Sequence, residues 1–187
     1  MTAESLIGKQ APLFTMDVVM PDTSFTKISL RSIMKKDKWT VLFFYPMDFT
    51  TICPTEITSI SDDIKEFEEL DAEVIGVSTD TIYSHKTWRN IPREEDGLGK
   101  IKYPLAADTN HKVSKDYGVF DAEEGIAHRG LFIISPEGEV MYAVVHHHHV
   151  GRDVDEILRV LLALQTGRPC PANWKPGQST LEEHTSS

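Results

Sequence analysis

One of the two cysteines, Cys53, lies where a buried strand leads into a helix. Residues 40–45 are apolar, β-branched and aromatic, and Pro46 ends the run, which is the pattern of a buried strand. After Pro54, apolar residues recur at helical spacing with charged residues between them, which predicts an amphipathic helix. Because proline is favoured just inside a helix start, the helix is predicted to begin near Cys53. The sulfur is therefore expected beside backbone N–H groups that lack partners within the helix.

This position favours a reactive thiol at Cys53. The free N–H groups and the positive end of the helix dipole stabilise the thiolate, which is the nucleophilic form of cysteine. The hydroxyls of Thr50, Thr51 and Thr55 are expected to serve the same N–H groups. A buried structural cysteine is the alternative, and free cysteines are often buried. Glu56 would repel a thiolate, so an arginine from elsewhere in the chain is expected to neutralise it.

The second cysteine, Cys170, lies far from Cys53 in the sequence. The chain has no CxxC motif and no pair of cysteines at zinc-site spacing. The two thiols are therefore either unrelated or a redox pair. In a reducing cytosol a disulfide is usually transient and catalytic, so a pair would indicate a reaction cycle.

Composition narrows the class of protein. The 187 residues fit one domain with an extension. Lys and Arg number 19 against 29 Asp and Glu, without a basic block that could follow a phosphate backbone, so nucleic acid is not an expected partner. No uncharged stretch reaches the roughly 18 residues of a membrane helix, and residues 1–10 lack the features of a signal peptide. The sequence predicts a soluble, cytoplasmic protein that does not bind a membrane.

The remaining elements predict an α/β fold. A buried strand over residues 72–78 and a polar helix over 81–89 complete a βαβ unit, and residues 15–30 indicate a peripheral hairpin. The glycine-punctuated stretch 91–102 is predicted to be a flexible loop. A helix over 111–119 follows.

The last third of the chain predicts a hairpin, a helix and an arm. Strands at 131–134 and 140–145 flank a Ser-Pro-Glu-Gly turn. Asp153 and Glu156 form a capping box for a helix that ends at Gly167. This order implies a mixed central sheet flanked by helices. The polar, Pro- and Gly-rich stretch from Gly167 onward is predicted to be a mobile arm.

Three motifs, in order along the chain, resemble those of the typical two-cysteine peroxiredoxins, of the kind that includes the bacterial alkyl hydroperoxide reductase peroxidase subunit. Pro46-x-x-x-Thr50-x-x-Cys53 matches the active-site motif of that family. Arg129-Gly130 resembles its catalytic arginine, and the segment that starts with Cys170-Pro171 resembles its resolving-cysteine segment. Together the three motifs are highly specific, and the resemblance covers nearly the whole chain.

The resemblance implies a thioredoxin-like fold, with a peroxidase domain over residues 1–167 and a C-terminal arm over 168–187. Cys53 is expected to attack a hydrogen peroxide or organic hydroperoxide, and Cys170 of a second subunit to form a disulfide with the resulting sulfenic acid. Thr50, Arg129 and the Cys53 amide are expected to donate hydrogen bonds to the reacting oxygens. Pro46 is expected to shield the thiol from water, and Glu56 to orient Arg129 and also Arg152.

The resemblance also implies partners. A dithiol reductant, either thioredoxin or a dedicated flavoprotein disulfide reductase, is expected to restore both thiols, and no cofactor or metal is expected. The family forms homodimers that assemble into rings of dimers, so the same assembly is expected here. A structural or chaperone-like ring is an alternative function that would not require Cys170. A general thiol–disulfide oxidoreductase is another, although that chemistry normally uses CxxC.

The sequence departs from the family pattern in two places, and each departure leads to a further expectation. The GGLG loop motif is replaced by Asp96-Gly97-Leu98-Gly99, and the Tyr-Phe pair of eukaryotic members is absent from residues 181–187, which implies resistance to over-oxidation. Residues 146–149 are four consecutive histidines. Alternate histidines of a strand share a face and could bind a metal, but no cysteine or carboxylate lies at ligand spacing in the sequence to complete a site. A solvated or interface strand end is therefore the favoured interpretation.

Overall fold

A mixed β-sheet supports the strand that leads to Cys53. The structure is a computed structural model that describes residues 4–182. The strands are β1 (Thr15–Val19), β2 (Phe25–Ser29), β3 (Trp39–Phe44), β4 (Ala72–Ser78), β5 (Leu105–Ala107), β6 (Phe120–Asp121), β7 (Ile126–Ala127), β8 (Arg129–Ile134) and β9 (Val140–His146). The helices are α1 (Leu30–Met34), α2 (Cys53–Asp62), α3 (Ile64–Glu69), α4 (Ile82–Asn90), α5 (Lys112–Asp116) and α6 (Val154–Gln165).

The main sheet has the order β2-β1-β5-β4-β3-β8-β9. Strands β3, β4 and β5 run parallel, and the other pairs are antiparallel. The predicted βαβ unit and the mixed central sheet flanked by helices are therefore confirmed. Since β3 has neighbours on both sides, its residues Val41, Leu42, Phe43 and Phe44 are all fully buried, which explains the continuous apolar run. This central position fixes the end of β3, from which the loop to Cys53 begins.

The sequence located most elements to within a few residues. The strand over 72–78 coincides with β4, and the hairpin over 15–30 consists of β1 and β2, which extend the edge of the main sheet. The helix predicted over 111–119 is shorter, because His111 has a left-handed backbone and Gly118 follows the last turn. Helix α1 and the small β6–β7 sheet were not predicted, since their short segments give no clear periodicity.

The loop over residues 91–102 is packed, contrary to the expectation of flexibility. It contains a short 3-10 helix, Arg93–Glu95, and the side chain of Leu98 is fully buried. The Leu98 N–H donates to Trp88 O at 3.1 Å, and the Trp88 indole donates to Asp96 O at 3.1 Å. Gly97 is required here, because a Cβ at this position would lie 2.0 Å from Ile91 O. Glycine thus permits a tight turn in this loop and is not a sign of mobility.

The chain forms two compact units, Met1–Arg152 and Asp153–Ser187. The predicted boundary after residue 167, which separates a peroxidase domain from an arm, stays a prediction. In the second unit the Asp153 carboxylate accepts from the Glu156 N–H at 3.0 Å, which is the first half of the predicted capping box. In a full capping box the Glu156 carboxylate would accept from the Asp153 N–H. Here that carboxylate accepts from Arg159 instead.

The segment after α6 is hydrogen-bonded within its own unit, which corrects the expectation of a wholly mobile arm. Arg159 donates to Trp174 O at 2.9 Å, and the Trp174 indole donates to Gln178 O at 3.1 Å. The Leu181 N–H donates to Pro169 O at 2.8 Å. Residues 183–187, which complete the predicted polar tail, lie outside the described residues.

Across residues 4–182, no helix has both the length and the apolar character needed to span a membrane.

Candidate active site

Cys53 is the first residue of α2, and its side chain is fully buried. The predicted helix start is therefore confirmed. The predicted role of the threonine hydroxyls in capping is wrong for two of them. Thr50 Oγ1 donates to Met47 O at 2.9 Å and Thr55 Oγ1 donates to Ile52 O at 2.6 Å. The residue at the cap position is Ile52, which offers no side-chain acceptor, so α2 starts without a side-chain cap.

Arg129, at the start of β8, contacts the thiol. Its Nη1 lies 3.3 Å from Cys53 Sγ and 2.7 Å from Glu56 Oε2. Its Nε donates to His148 O at 2.8 Å, which fixes the other side of the guanidinium. The arginine that the Cys53–Glu56 spacing required is therefore present. A fixed cation next to the sulfur stabilises negative charge on that atom and on any oxygen that reacts with it.

Glu56 lies between two buried arginines. Beside Arg129, it accepts from Arg152 Nε at 2.8 Å, from Arg152 Nη2 at 3.0 Å and from the Arg152 N–H at 2.8 Å. Burial acts to raise the pKa of Glu56, but the hydrogen bonds and charge of Arg152, together with the charge of Arg129, hold it below the ordinary value of 4.5. Arg152 also donates to Phe44 O in β3 and to Gly130 O in β8, so it links the Glu56 carboxylate to two strands of the main sheet. The structure thus places both arginines where Glu56 was expected to orient them.

Replacing Glu56 with glutamine is expected to lower the free energy of unfolding by about 3–5 kcal/mol near neutral pH, because two buried guanidinium groups lose their shared carboxylate. The folded-state pKa of Glu56 is depressed, so its contribution is present above pH 4.5 and is lost as the pH falls through the lower folded value. Urea unfolding of wild type and Glu56→Gln from pH 7 to pH 3 measures this difference. The exposed Glu66→Gln is the control and should change stability by less than about 0.5 kcal/mol. A Glu56→Gln effect as small as that of the control would contradict this account.

The loop between β3 and α2, which carries Pro46 and Thr50, is held by a buried polar network. Asp48 accepts from Tyr45 OH at 2.8 Å and from Ser84 Oγ at 2.7 Å, and lies 2.8 Å from His85 Nδ1. The Asp48 N–H donates to Asp80 Oδ2 at 2.9 Å. Burial and the charge of Asp48 raise the pKa of Asp80.

Sequence reasoning missed this network, because three of the four partners of Asp48 lie in α4 or just after β4, more than thirty residues away. Pro46 is buried and Thr50 is half-buried on this loop. The network therefore fixes the backbone that presents Thr50 ahead of Cys53.

The structure brings some of the predicted site residues into contact and leaves others apart. Arg129 contacts both Cys53 and Glu56, and Arg152 contacts Glu56. The Thr50 side chain bonds back to its own loop. Cys170 is a free, half-buried thiol in the second unit, 3.6 Å from Thr166 Oγ1.

A cluster of histidines lies directly beside Arg129. His128 Nδ1 is 3.1 Å from His148 Nε2, and their ring centroids are 4.9 Å apart. Asp121 completes a group whose potential ligand atoms all lie within 4.8 Å of one another. Burial, followed by the charge of His128, lowers the pKa of His148. The sequence indicated no carboxylate at ligand spacing from the four histidines. In the fold, Asp121 of β6 lies beside His148 and provides that carboxylate.

Comparison with known proteins agrees with this geometry. Residues 7–143 match the AhpC/TSA family. The chain is 67% identical over 179 residues to YkuU, a candidate peroxiredoxin of Bacillus subtilis (strain 168), covering 96% of this chain and 99% of that protein. It is 44% identical over 183 residues to a thioredoxin peroxidase of Trypanosoma brucei rhodesiense, covering 96% and 91%.

Among solved structures, the reduced 2-Cys peroxiredoxin of Plasmodium vivax superposes with a TM-score of 0.92 at 36% identity, covering 95% of this chain and 93% of that one. These relatives cover almost the whole chain, and the family match covers residues 7–143. The expected thioredoxin-like fold and peroxidase chemistry are confirmed. The chain therefore belongs to the AhpC/TSA family, and it is a peroxiredoxin, a thiol-dependent peroxidase.

Proposed function

We propose that Cys53 is the nucleophile of this peroxidase. The observation that carries the proposal is the 3.3 Å contact between Cys53 Sγ and Arg129 Nη1 at the start of α2. The Cys53 thiolate attacks the terminal oxygen of a hydrogen peroxide or organic hydroperoxide, and an S–O bond forms as the O–O bond breaks. The second oxygen leaves with the electron pair of the broken bond and takes up a proton as water or an alcohol. Cys53 remains as a sulfenic acid.

Charge moves from the sulfur toward the leaving oxygen during this step. Arg129 is fixed by Glu56 and by His148 O, so it needs no rearrangement to stabilise that charge. For Thr50 we propose a role different from the donor role that the resemblance implied. Its hydroxyl proton is donated to Met47 O, which leaves its oxygen lone pairs free to accept the O–H of the peroxide. Thr50 therefore orients the substrate, and buried Pro46 limits the access of water to the thiol.

Cys170 is proposed to complete the cycle. Its thiol attacks the Cys53 sulfenic acid of a neighbouring subunit, which forms a disulfide and releases water. A dithiol then reduces this disulfide and is itself oxidised. The name of the trypanosome relative supports thioredoxin as the class of reductant, and a dedicated flavoprotein disulfide reductase is the alternative. The proposed compartment is the reducing cytoplasm, where such a disulfide is transient.

A homodimer is the minimum assembly for this cycle. Among the described strands β9 ends the main sheet, and it exposes Val145, with Val150 exposed just beyond it. An exposed apolar edge strand favours pairing with a second chain. This edge supports a dimer of this chain, and a ring of such dimers is the proposed larger assembly.

Peroxide treatment is expected to join two chains covalently. Non-reducing gel electrophoresis of the protein after a stoichiometric dose of hydrogen peroxide should show a dimer that disappears with dithiothreitol. Neither Cys53→Ser nor Cys170→Ser should form it, and a mixture of these two variants should form a heterodimer with one disulfide. A disulfide found only within single chains would contradict the proposed pairing while leaving the peroxidase assignment intact.

Wild-type protein is expected to resist over-oxidation at micromolar peroxide. The first turn of α2 has no side-chain cap, Pro54 lacks an N–H, and the Glu56 N–H reaches Ile52 O at a long 3.4 Å. Residues 53–55, which precede the Glu56 side chain held by the two arginines, are therefore expected to unwind readily. The Tyr103 hydroxyl donates to Ile57 O beyond this turn, so the rest of α2 can stay in place. Exposure of Cys53 to Cys170 should therefore outpace a second oxidation.

Mass spectrometry of Cys53 during turnover, across a peroxide titration, measures sulfinic acid. Cys170→Ser is the control, because its sulfenic acid cannot be resolved and should proceed to sulfinic acid at doses that spare the wild type. Substantial sulfinic acid in the wild type at micromolar peroxide would show that other contacts hold the first turn closed.

A further inference from the structure

The cluster of Asp121, His128 and His148 is not used by the peroxidase chemistry. Asp121 ends β6, His128 lies between β7 and β8, and His148 follows β9. The antiparallel pairing of β6 with β7 places Asp121 opposite Ile126, and that of β8 with β9 places Arg129 opposite His146. Two strand pairings therefore bring the three side chains to one point of the fold.

We propose that Asp121, His128 and His148 bind a divalent transition-metal ion of the Zn²⁺ class. His128 Nδ1 and His148 Nε2 are 3.1 Å apart. Two nitrogen ligands of a tetrahedral zinc, with Zn–N bonds of about 2.0–2.1 Å, are separated by about 3.3 Å. The carboxylate of Asp121 lies within 4.8 Å of both ligand positions, so small side-chain rotations allow one ion to contact all three.

The surroundings of Asp121 support this assignment. Its Oδ1 accepts from the Glu123 N–H at 3.0 Å and from the Glu124 N–H at 3.2 Å, which orients the carboxylate as partners of metal ligands usually do. Two imidazoles and a carboxylate favour Zn²⁺, Ni²⁺ or Cu²⁺ over Mg²⁺ and Ca²⁺, which prefer all-oxygen sites. The three ligands leave at least one coordination position for water.

Affinity in the micromolar range is expected. His148 Nδ1 is buried and has no hydrogen-bond partner among the described residues, so this ring lacks the support that usually strengthens a histidine ligand. The guanidinium of Arg129 also lies nearby, because its Nε donates to His148 O. The negative charge of Asp121 offsets part of that repulsion.

The rest of the histidine run is a competing source of metal binding. His147 and His149 have ring centroids 4.8 Å apart, and His146 Nδ1 lies 3.3 Å from Val150 O. None of these three belongs to the group formed by Asp121, His128 and His148. A test must therefore separate the proposed site from exposed histidines and from the two thiols.

Titration calorimetry with ZnCl₂ on the full-length Cys53→Ser/Cys170→Ser protein removes the thiol ligands. One ion per chain is expected to bind with micromolar affinity, with no competition from Mg²⁺. His128→Gln and Asp121→Asn should each weaken this binding by at least about tenfold, since each removes one of three ligands. The triple variant His146→Gln/His147→Gln/His149→Gln should bind as well as its parent. Circular dichroism of each variant confirms that the fold is retained.

Two results would overturn the proposal. Undiminished Zn²⁺ binding in His128→Gln and Asp121→Asn, with loss in the triple variant, would assign the ion to the exposed histidine run. The absence of saturable binding below millimolar Zn²⁺ would also exclude the site.

A second readout uses Co²⁺, whose visible absorption should show nitrogen and oxygen ligands in the parent and should disappear in His128→Gln.

Discussion

Replacement of Cys53 by serine is expected to reduce peroxide turnover by at least about 10³-fold, to the level of the uncatalysed reaction. Serine has nearly the same shape as cysteine, so the fully buried position should stay filled and the fold should be retained. A serine hydroxyl is not ionised near neutral pH and is a poor nucleophile without a base. The contact with Arg129 cannot compensate, because a cation beside a neutral hydroxyl does not create the attacking anion.

Stopped-flow measurement of hydrogen peroxide consumption, with a dithiol as the reductant, gives this result directly. Cys170→Ser is the matched control, since it replaces the other thiol with the same residue. In that variant the first oxidation should proceed at the wild-type rate, and only regeneration should change. Turnover by Cys53→Ser close to the wild-type rate would contradict the assignment of the nucleophile.

Removal of the Arg129 guanidinium is expected to lower kcat/KM for peroxide by about 10²–10³-fold, the usual cost of one donor that stabilises developing charge. Arg129→Met removes the charge beside the sulfur and keeps much of the side-chain volume. Arg129→Lys keeps a charge, but a single ammonium cannot contact Cys53 Sγ, Glu56 and His148 O together, so its loss should be intermediate.

The stability of the Arg129 variants separates this catalytic role from a structural one. Glu56 keeps its three hydrogen bonds from Arg152, so its charge stays paired when Arg129 is replaced. The free energy of unfolding should therefore fall less in Arg129→Met than in Glu56→Gln. Arg93→Met is the control, because Arg93 forms a half-exposed pair with Asp62 and should affect neither property strongly. An Arg129→Met enzyme with unchanged kcat/KM would show that the guanidinium only fills space.

The strand and helix around Cys53 could be predicted because their signals are local. A continuous apolar run indicated β3, and helical spacing with Pro54 indicated the start of α2. The charge of Glu56 also predicted an arginine partner, since a carboxylate one turn from a thiolate requires a cation. The motif resemblance then supplied the identity of Arg129. These inferences needed only short stretches of sequence.

The features that escaped prediction depend on partners that are distant in the chain. Asp48 reaches His85 and Asp80 through the fold, and no local pattern marks that network. Asp121 meets His148 only because two strand pairings converge, so the histidine run was considered without its carboxylate. In the 91–102 loop, Gly97 permits a close approach to Ile91 O, which sequence alone cannot distinguish from flexibility.

The most direct test of the central claim is a single-turnover measurement on Cys170→Ser. One equivalent of hydrogen peroxide is added to the reduced protein, the sulfenic acid is trapped with dimedone, and peptides are analysed by mass spectrometry. If Cys53 is the nucleophile and Cys170 acts only afterwards, the label should be found on Cys53 at close to one per chain, at the wild-type rate. Consumption of peroxide without a dimedone adduct on Cys53 would contradict this account.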